Sequence, residues 1–283
     1  MNISKTLRQM LLSATACLLA CSVLFGAGKS SAGGGFHLIP ARAIEARLKS
    51  APRNNLAREH ALKKMFEAAG CASPQLSEES IGGGQPPNLI CTSSGEESSL
   101  IVVGGHMDHV RHGEGIVDDW SGASMLPSLY ESLRSRRRKH TFVFIGFSQE
   151  EKGRRGSKFY LRHLSPGFIH RIHAMVNLEC LGMNPPEVWT SHAGGKLLAC
   201  LNRVARGMGT YLPGVDLENV GYDDADSFRH FKIPTITIHS LTQDTLSILH
   251  SKRDNFAAEH MNYYYDSYRI IANYLVSLDA ALP

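Results

Sequence analysis

The apolar positions of this chain fall into short unbroken runs separated by helix-spaced stretches. Leu100 to Val103 is one such run; it stops at Gly104-Gly105 and opens onto His106, Asp108 and His109. Thr141 to Phe147 leads into Ser148-Gln149-Glu150-Glu151, and Ile172 to Leu178 ends at Glu179. Ile233 to His239, with Pro234 near its start, is followed after a short segment by His250. Runs of this kind predict strands buried on both faces. Asn88 to Thr92 predicts a further strand, joined to the Leu100 run by a turn at Ser93-Ser94-Gly95.

Helical spacing fills the intervals. Ile44, Leu48, Leu56, Leu62 and Met65-Phe66 predict helices between Pro40 and Gly70, broken at Ser50-Ala51-Pro52 and stopped by Gly70. Leu126, Leu129, Tyr130 and Leu133 share a face of a helix over Ser121 to Arg137. Further helices are predicted over Ser157 to Leu164, Gly195 to Gly207 and Tyr263 to Leu278. Strands alternating with helices after residue 100 predict the α/β class, with a largely parallel sheet covered on both faces. There is no repeat or linker, so residues 33–283 are expected to form a single catalytic domain.

Composition narrows the setting. Apolar residues make up 43% of the 283 and charged residues 20%, which argues against disorder. Lys5 and Arg8 precede an apolar stretch from Met10 to Phe25 and small residues from Gly26 to Ala32, the pattern of a signal peptide over residues 1–32. The stretch is short and weakly hydrophobic for a spanning helix, so no stable membrane insertion is expected after cleavage. Leu18-Leu19-Ala20-Cys21 offers a lipid anchor at Cys21 as an alternative, and the expected location is secreted or periplasmic. The net charge of +4 includes Lys5, Arg8 and Lys29, leaving +1 without them and giving no reason to expect a nucleic-acid partner. Beyond the leader stand Cys71, Cys91, Cys180 and Cys200, with no metal-type spacing. In an oxidising compartment they allow one or two disulfides; buried free thiols are the alternative. The basic run Arg136 to Lys139 reads as a solvated helix end.

The chemistry lies where the apolar runs stop. Acids and imidazoles converging at neighbouring strand ends are costly unless a cation compensates them. Two His with three carboxylates suit zinc first, then manganese or cobalt. If one carboxylate bridges, five ligands hold two ions, which polarise a carbonyl and activate water. Asp108 is placed to orient the imidazole of His106. Of Glu150 and Glu151, one can ligate while the other acts as general base. Asp119 is a candidate cap for the following helix.

The segments GGHMDHV, VDDWSG, SQEEKGRRGS, VNLECLG and LHSKRDN resemble, in order and spacing over residues 88–255, the motifs of the co-catalytic di-zinc aminopeptidases, the family of bacterial leucyl aminopeptidase and aminopeptidase S. The resemblance implies a three-layer α/β/α sandwich with a mixed, mostly parallel sheet. It implies two zinc ions, one bound by His106 and Glu179, the other by Glu151 and His250, with Asp118 bridging, Glu150 as general base and Asp108 supporting His106. It implies a monomer acting on peptides with a free N-terminus. Glu179 stands where many members have Asp. Asp223-Asp224-Ala225 lacks the His of the usual Ser-Asp-His, and His239-Ser240 imitates the ligand motif with different spacing. Pocket walls are expected from segments near 183–194 and 208–228. Glutaminyl cyclases and amidohydrolases of the deacylase type share such a site. The 99 positions between Glu151 and His250 leave little room for the inserted domain of the latter.

Overall fold

The computed structural model describes residues 36–217 and 221–283; the leader over residues 1–32 and the possible anchor at Cys21 lie outside them. Among the described residues, seven strands form one sheet in the order β1-β2-β4-β3-β5-β7-β6. They are β1 (Leu76–Glu79), β2 (Asn88–Ser93), β3 (Leu100–His106), β4 (Thr141–Phe147), β5 (Ile172–Leu178), β6 (Glu187–Val188) and β7 (Thr235–His239). The four central strands β4, β3, β5 and β7 are parallel, and the edges are antiparallel. Every residue of β3 is buried, as the centre of a sheet covered on both faces requires.

The helices are α1 (Ala41–Lys49), α2 (Asn55–Ala68), α3 (Ser121–Leu133), α4 (Arg155–His163), the single turn α5 (Pro166–Ile169), α6 (Gly195–Gly207), α7 (Asp224–His230) and α8 (Met261–Ala281). Alternation along the strands divides the core. Ile101, Val103, Phe142, Phe144, Val176 and Ile238 pack under α1, α2, α3, α6 and α8. Val102, Val143, Ile145 and Met175 face the opposite layer, where Tyr160 and Leu161 of α4 and Phe228 of α7 cover them. This is the three-layer sandwich the sequence implied. No helix among the described residues is long and apolar enough to cross a membrane.

Several details differ from expectation. The edge strands β1 and β6 and the helix α7 carry too few apolar residues to announce themselves. Pro234 precedes β7 rather than starting it. The run Arg136 to Lys139 is not simply solvated: Arg138 donates to the carbonyls of Leu133 and Arg136, Lys139 to that of Leu282 at 2.9 Å, and Arg137 pairs with Glu96. Helix α3 ends at Leu133, whose carbonyl accepts from the Arg138 guanidinium. Cys71 and Cys91 form a disulfide that ties the end of α2 to β2, while Cys180 and Cys200 are free and buried.

Candidate metal centre

The carboxyl ends of β3, β4, β5 and β7 open on one edge of the sheet, the usual position of ligand sites in open α/β folds. His106 is the last residue of β3 and is buried. Its Nδ1 lies 3.0 Å from the backbone oxygen of Asp108. Donation to that oxygen orients the ring so that Nε2 points at the carboxylates, whose hydrogen bonds raise the imidazole well above its usual pKa against the effect of burial. Nε2 lies 3.1 Å from Asp118 Oδ1 and 3.5 Å from Glu179 Oε1. On the other side of Asp118, Oδ2 lies 3.1 Å from His250 Nε2, which is 3.2 Å from Glu151 Oε2. The ligand atoms thus form two triads, each with its atoms within 4.8 Å of one another, and Asp118 gives one oxygen to each.

Asp108 adjoins the His106 imidazole and has a further contact. Its carbonyl, not its carboxylate, is the nearer partner of His106; the carboxylate Oδ1 stands 3.7 Å from Nδ1. The carboxylate accepts instead from the backbone N–H groups of Glu150 (2.9 Å) and Glu151 (3.3 Å), fixing the turn that carries both acids. Asp119 caps α3 by accepting from Gly122 N at 3.0 Å, and goes further. It also accepts from Cys180 N at 3.0 Å and His106 N at 3.1 Å, so one buried carboxylate joins β3, α3 and the segment after β5. Gly122 admits it: a Cβ there would stand 2.5 Å from Asp119 Oδ2. His239, the rival ligand, faces away; its Nε2 is 3.2 Å from Val215 O and its Nδ1 accepts from Leu241 N at 3.0 Å.

The electrostatics are those of an uncompensated acidic cluster. Burial pushes Glu150 up to about 9, reinforced by Asp224, Glu179 and Asp118 against the opposing effect of His106. Burial raises Glu179 too, although His106 opposes it. For Asp118 burial is outweighed by His106 and His250, which hold it below the usual carboxylate range. Hydrogen bonds to Asp118 and Glu151 raise His250 to about 10. Glu151 Oε1 is buried without a hydrogen-bond partner. Cationic charge is what this donor set lacks, and imidazoles with carboxylates are ligand types that suit zinc.

Glu150 lines a cavity of about 150 Å³ together with Asp118, Glu151, Glu179 and His250 of the triads; Trp189, Leu217, Leu241 and Leu249 form its apolar wall, beside Tyr222 and Asp223. Trp189, Leu217 and Tyr222 come from the expected segments. Leu241 and Leu249 come from the connection after β7, where only a ligand was expected. Cys180 also lines this cavity. Trp120 does not: it is buried beneath Arg58, whose guanidinium lies 5.3 Å from its ring. Asp224, at the first turn of α7, is buried, and burial raises it to about 7 against the opposing effects of His106 and the Ser157 hydroxyl. In the sequence it appeared only as a departure from the usual Ser-Asp-His; its charge bears on Glu150.

Two His–carboxylate triads sharing one Asp at the carboxyl edge of a mixed sheet form a candidate metal centre on an α/β/α fold. The sequence pattern of peptidase family M28 matches residues 88–275, and the chain belongs to that family. Leucine aminopeptidase 2 of Trichophyton rubrum is 29% identical over 96 residues, which is 34% of this chain and 19% of that protein. The chain therefore spans well under a quarter of that relative's length. BSAP, a zinc aminopeptidase from Bacillus subtilis, has a similar fold, with a TM-score of 0.63 and 20% identity over 70% of this chain and 50% of that one. An Acidobacteriales bacterium glutaminyl cyclase superposes with a TM-score of 0.72 and 14% identity over 90% of this chain and 99% of that one.

Proposed function

We propose that this protein is a di-zinc aminopeptidase that removes apolar N-terminal residues from peptides. The observation that carries the reading is the sharing of Asp118, one oxygen toward His106 and Glu179 and the other toward His250 and Glu151. His106, Asp118 and Glu179 would hold one ion; Asp118, Glu151 and His250 would hold the other. When bound, the pair supplies polarisation of the scissile carbonyl and acidification of a water.

The chain's own groups do the rest. Glu150 takes the proton of the attacking water and returns it to the leaving amine. Cations beside Glu150 offset the burial that otherwise keeps it protonated. Asp108 holds the Glu150–Glu151 turn in place. Leu217, Leu241, Leu249 and Trp189 surround the substrate's first side chain and exclude water from it, which favours an apolar residue in a cavity of about 150 Å³. Glu179, with Asp223 at the same cavity, supplies negative charge for the free α-amine. The Cys71–Cys91 disulfide supports export to an oxidising compartment behind a leader over residues 1–32, followed by a single catalytic domain.

The test is hydrolysis of leucine p-nitroanilide and its N-acetylated form, with and without chelator, beside a zinc count. Chelator-sensitive cleavage of the free-amine substrate alone, with two zinc per chain, is expected. Equal cleavage of the blocked substrate overturns the reading. The superposition over nearly the whole length of a glutaminyl cyclase favours a second reading, acyl transfer within an N-terminal glutamine. One zinc per chain and cyclisation of glutaminyl peptides would establish it.

A further inference from the structure

Two further hollows lie beside the candidate site. The first, of about 580 Å³, shares Glu151 with the apolar cavity and is lined beyond it by Asn55, Gln85, Arg111 and Lys152. The second, of about 480 Å³, runs on from Asn55 and Arg111 to Arg53 and Glu114.

The cations in these hollows are of two kinds. Arg53 meets Glu114 at 3.5 Å, as Arg154 meets Asp226 further round the site. Arg111 and Lys152 have no anionic partner among the described residues. The backbone under each is nevertheless fixed by buried groups. The Arg58 guanidinium donates to the carbonyls of Met107 (3.2 Å), Gly115 (3.0 Å) and Glu114, clamping both ends of the loop that carries Arg111. Asn55 exchanges hydrogen bonds with the backbone of His109 inside that loop. Lys152 closes the turn whose first two N–H groups bond the Asp108 carboxylate. Two unpaired cations held beside a carboxylate-lined site are placed for a small anion. The carboxylates on the same walls are engaged elsewhere: Asp108 with the N–H groups of Glu150 and Glu151, Glu114 with Arg53, and Glu151 with His250.

We propose that Arg111 and Lys152 bind a carboxylate on the leaving-group side of the substrate, either the C-terminus of a short peptide or an acidic side chain just after the scissile bond. The inference rests on the aminopeptidase reading. With the N-terminal residue in the apolar cavity, a chain leaving past Glu151, which lines both spaces, enters the hollow that Arg111 and Lys152 line. Short peptides are thereby selected over long neutral ones.

The test compares Leu-Ala-Ala, its C-terminal amide and the amide of Leu-Asp-Ala on the zinc-loaded full chain. The free acid is expected to show kcat/KM about three- to tenfold above the neutral amide, a size fitting exposed charge pairs. The preference is expected to shrink as NaCl rises from about 0.05 to about 0.5 M. It is also expected to vanish in the double variant Arg111→Ala/Lys152→Ala. Equal rates for all three peptides in the wild type, or a preference that survives the double variant, overturn the proposal. A gain for Leu-Asp-Ala amide assigns the site to an acidic side chain; a gain for the free acid alone assigns it to the C-terminus. If leucine p-nitroanilide is not cleaved, the aminopeptidase reading falls. Calorimetric binding of the same peptides to the zinc-loaded Glu150→Gln chain still decides the groove, with equal affinities overturning it.

Discussion

The carboxylate of Asp108 accepts the backbone N–H of Glu150 at 2.9 Å, so a residue two places beyond the end of β3 holds the turn at the end of β4. Replacing Asp108 with Ala leaves His106 its carbonyl partner but frees that turn. Zinc affinity and kcat/KM are expected to fall by about 10- to 100-fold, as when other groups that orient ligands are lost. Zinc titration followed by steady-state kinetics on the loaded variant separates the two effects.

Glu150→Gln preserves shape and the backbone hydrogen bond while removing the base. The expected result is two zinc per chain with kcat lower by about 10²- to 10⁴-fold. Metal analysis and turnover on one preparation check it; a variant with wild-type kcat would remove Glu150 from the proton path.

His250 and His239 predict opposite outcomes despite their similar sequence surroundings. His250→Ala is expected to leave one zinc per chain, because His250 Nε2 faces Asp118 and Glu151. His239→Ala is expected to keep both ions and lose stability instead, since His239 is buried and bonded to Val215 O and Leu241 N. Zinc stoichiometry with thermal melts distinguishes them.

The metal-free chain has a pH dependence of its own. Asp118 and Glu151 raise His250 from 6.5 to about 10. Its protonated form therefore stabilises the folded apo-protein fully below pH 6.5, and that contribution fades as pH rises from 6.5 through 10. Zinc must displace this proton, so loading at pH 7 is expected to release protons and affinity to weaken as pH falls. Apo-protein melts across pH 6 to 10 and proton release during zinc titration measure the two effects.

The Cys71–Cys91 disulfide spans a sequence separation of 20 residues. Replacing both cysteines with Ser is expected to cost about 2–4 kcal/mol. At about 2–4 °C per kcal/mol this lowers Tm by roughly 5–15 °C. The disulfide is remote from the triads, so zinc stoichiometry should stay at the wild-type value, and denaturation with metal analysis checks both points.

The central sheet was legible because β3, β4, β5 and β7 are continuous apolar runs, a pattern buried parallel strands require. The ligand candidates were legible because each follows the end of such a run: His106, Glu150 and Glu151, Glu179 and, after a connection, His250. What escaped notice depends on contacts between distant segments. β1 and β6 hold few apolar residues and exist only by pairing with β2 and β7. The use of Asp108's carbonyl rather than its carboxylate follows from where Glu150 and Glu151 fold. Left-handed backbone at Gln149 (φ 59°), Cys180 (φ 49°) and His250 (φ 55°), each a candidate ligand or next to Glu150 or Glu179, has no sequence signature in non-glycine residues. The disulfide could not be chosen among pairings until β2 was placed beside the end of α2.

The two imidazoles differ sharply in exposure: the His106 side chain is 1% accessible and that of His250 is 56%. On the proposed reading this gives the two ions unequal lifetimes. An ion held through His250 would be the more exposed and would exchange with the medium more readily than one held through the buried His106. A chelator would then strip the pair in order, passing through a half-loaded form. Enzyme purified from zinc-poor surroundings would consist largely of that form, and its activity would follow the zinc supply rather than the amount of protein.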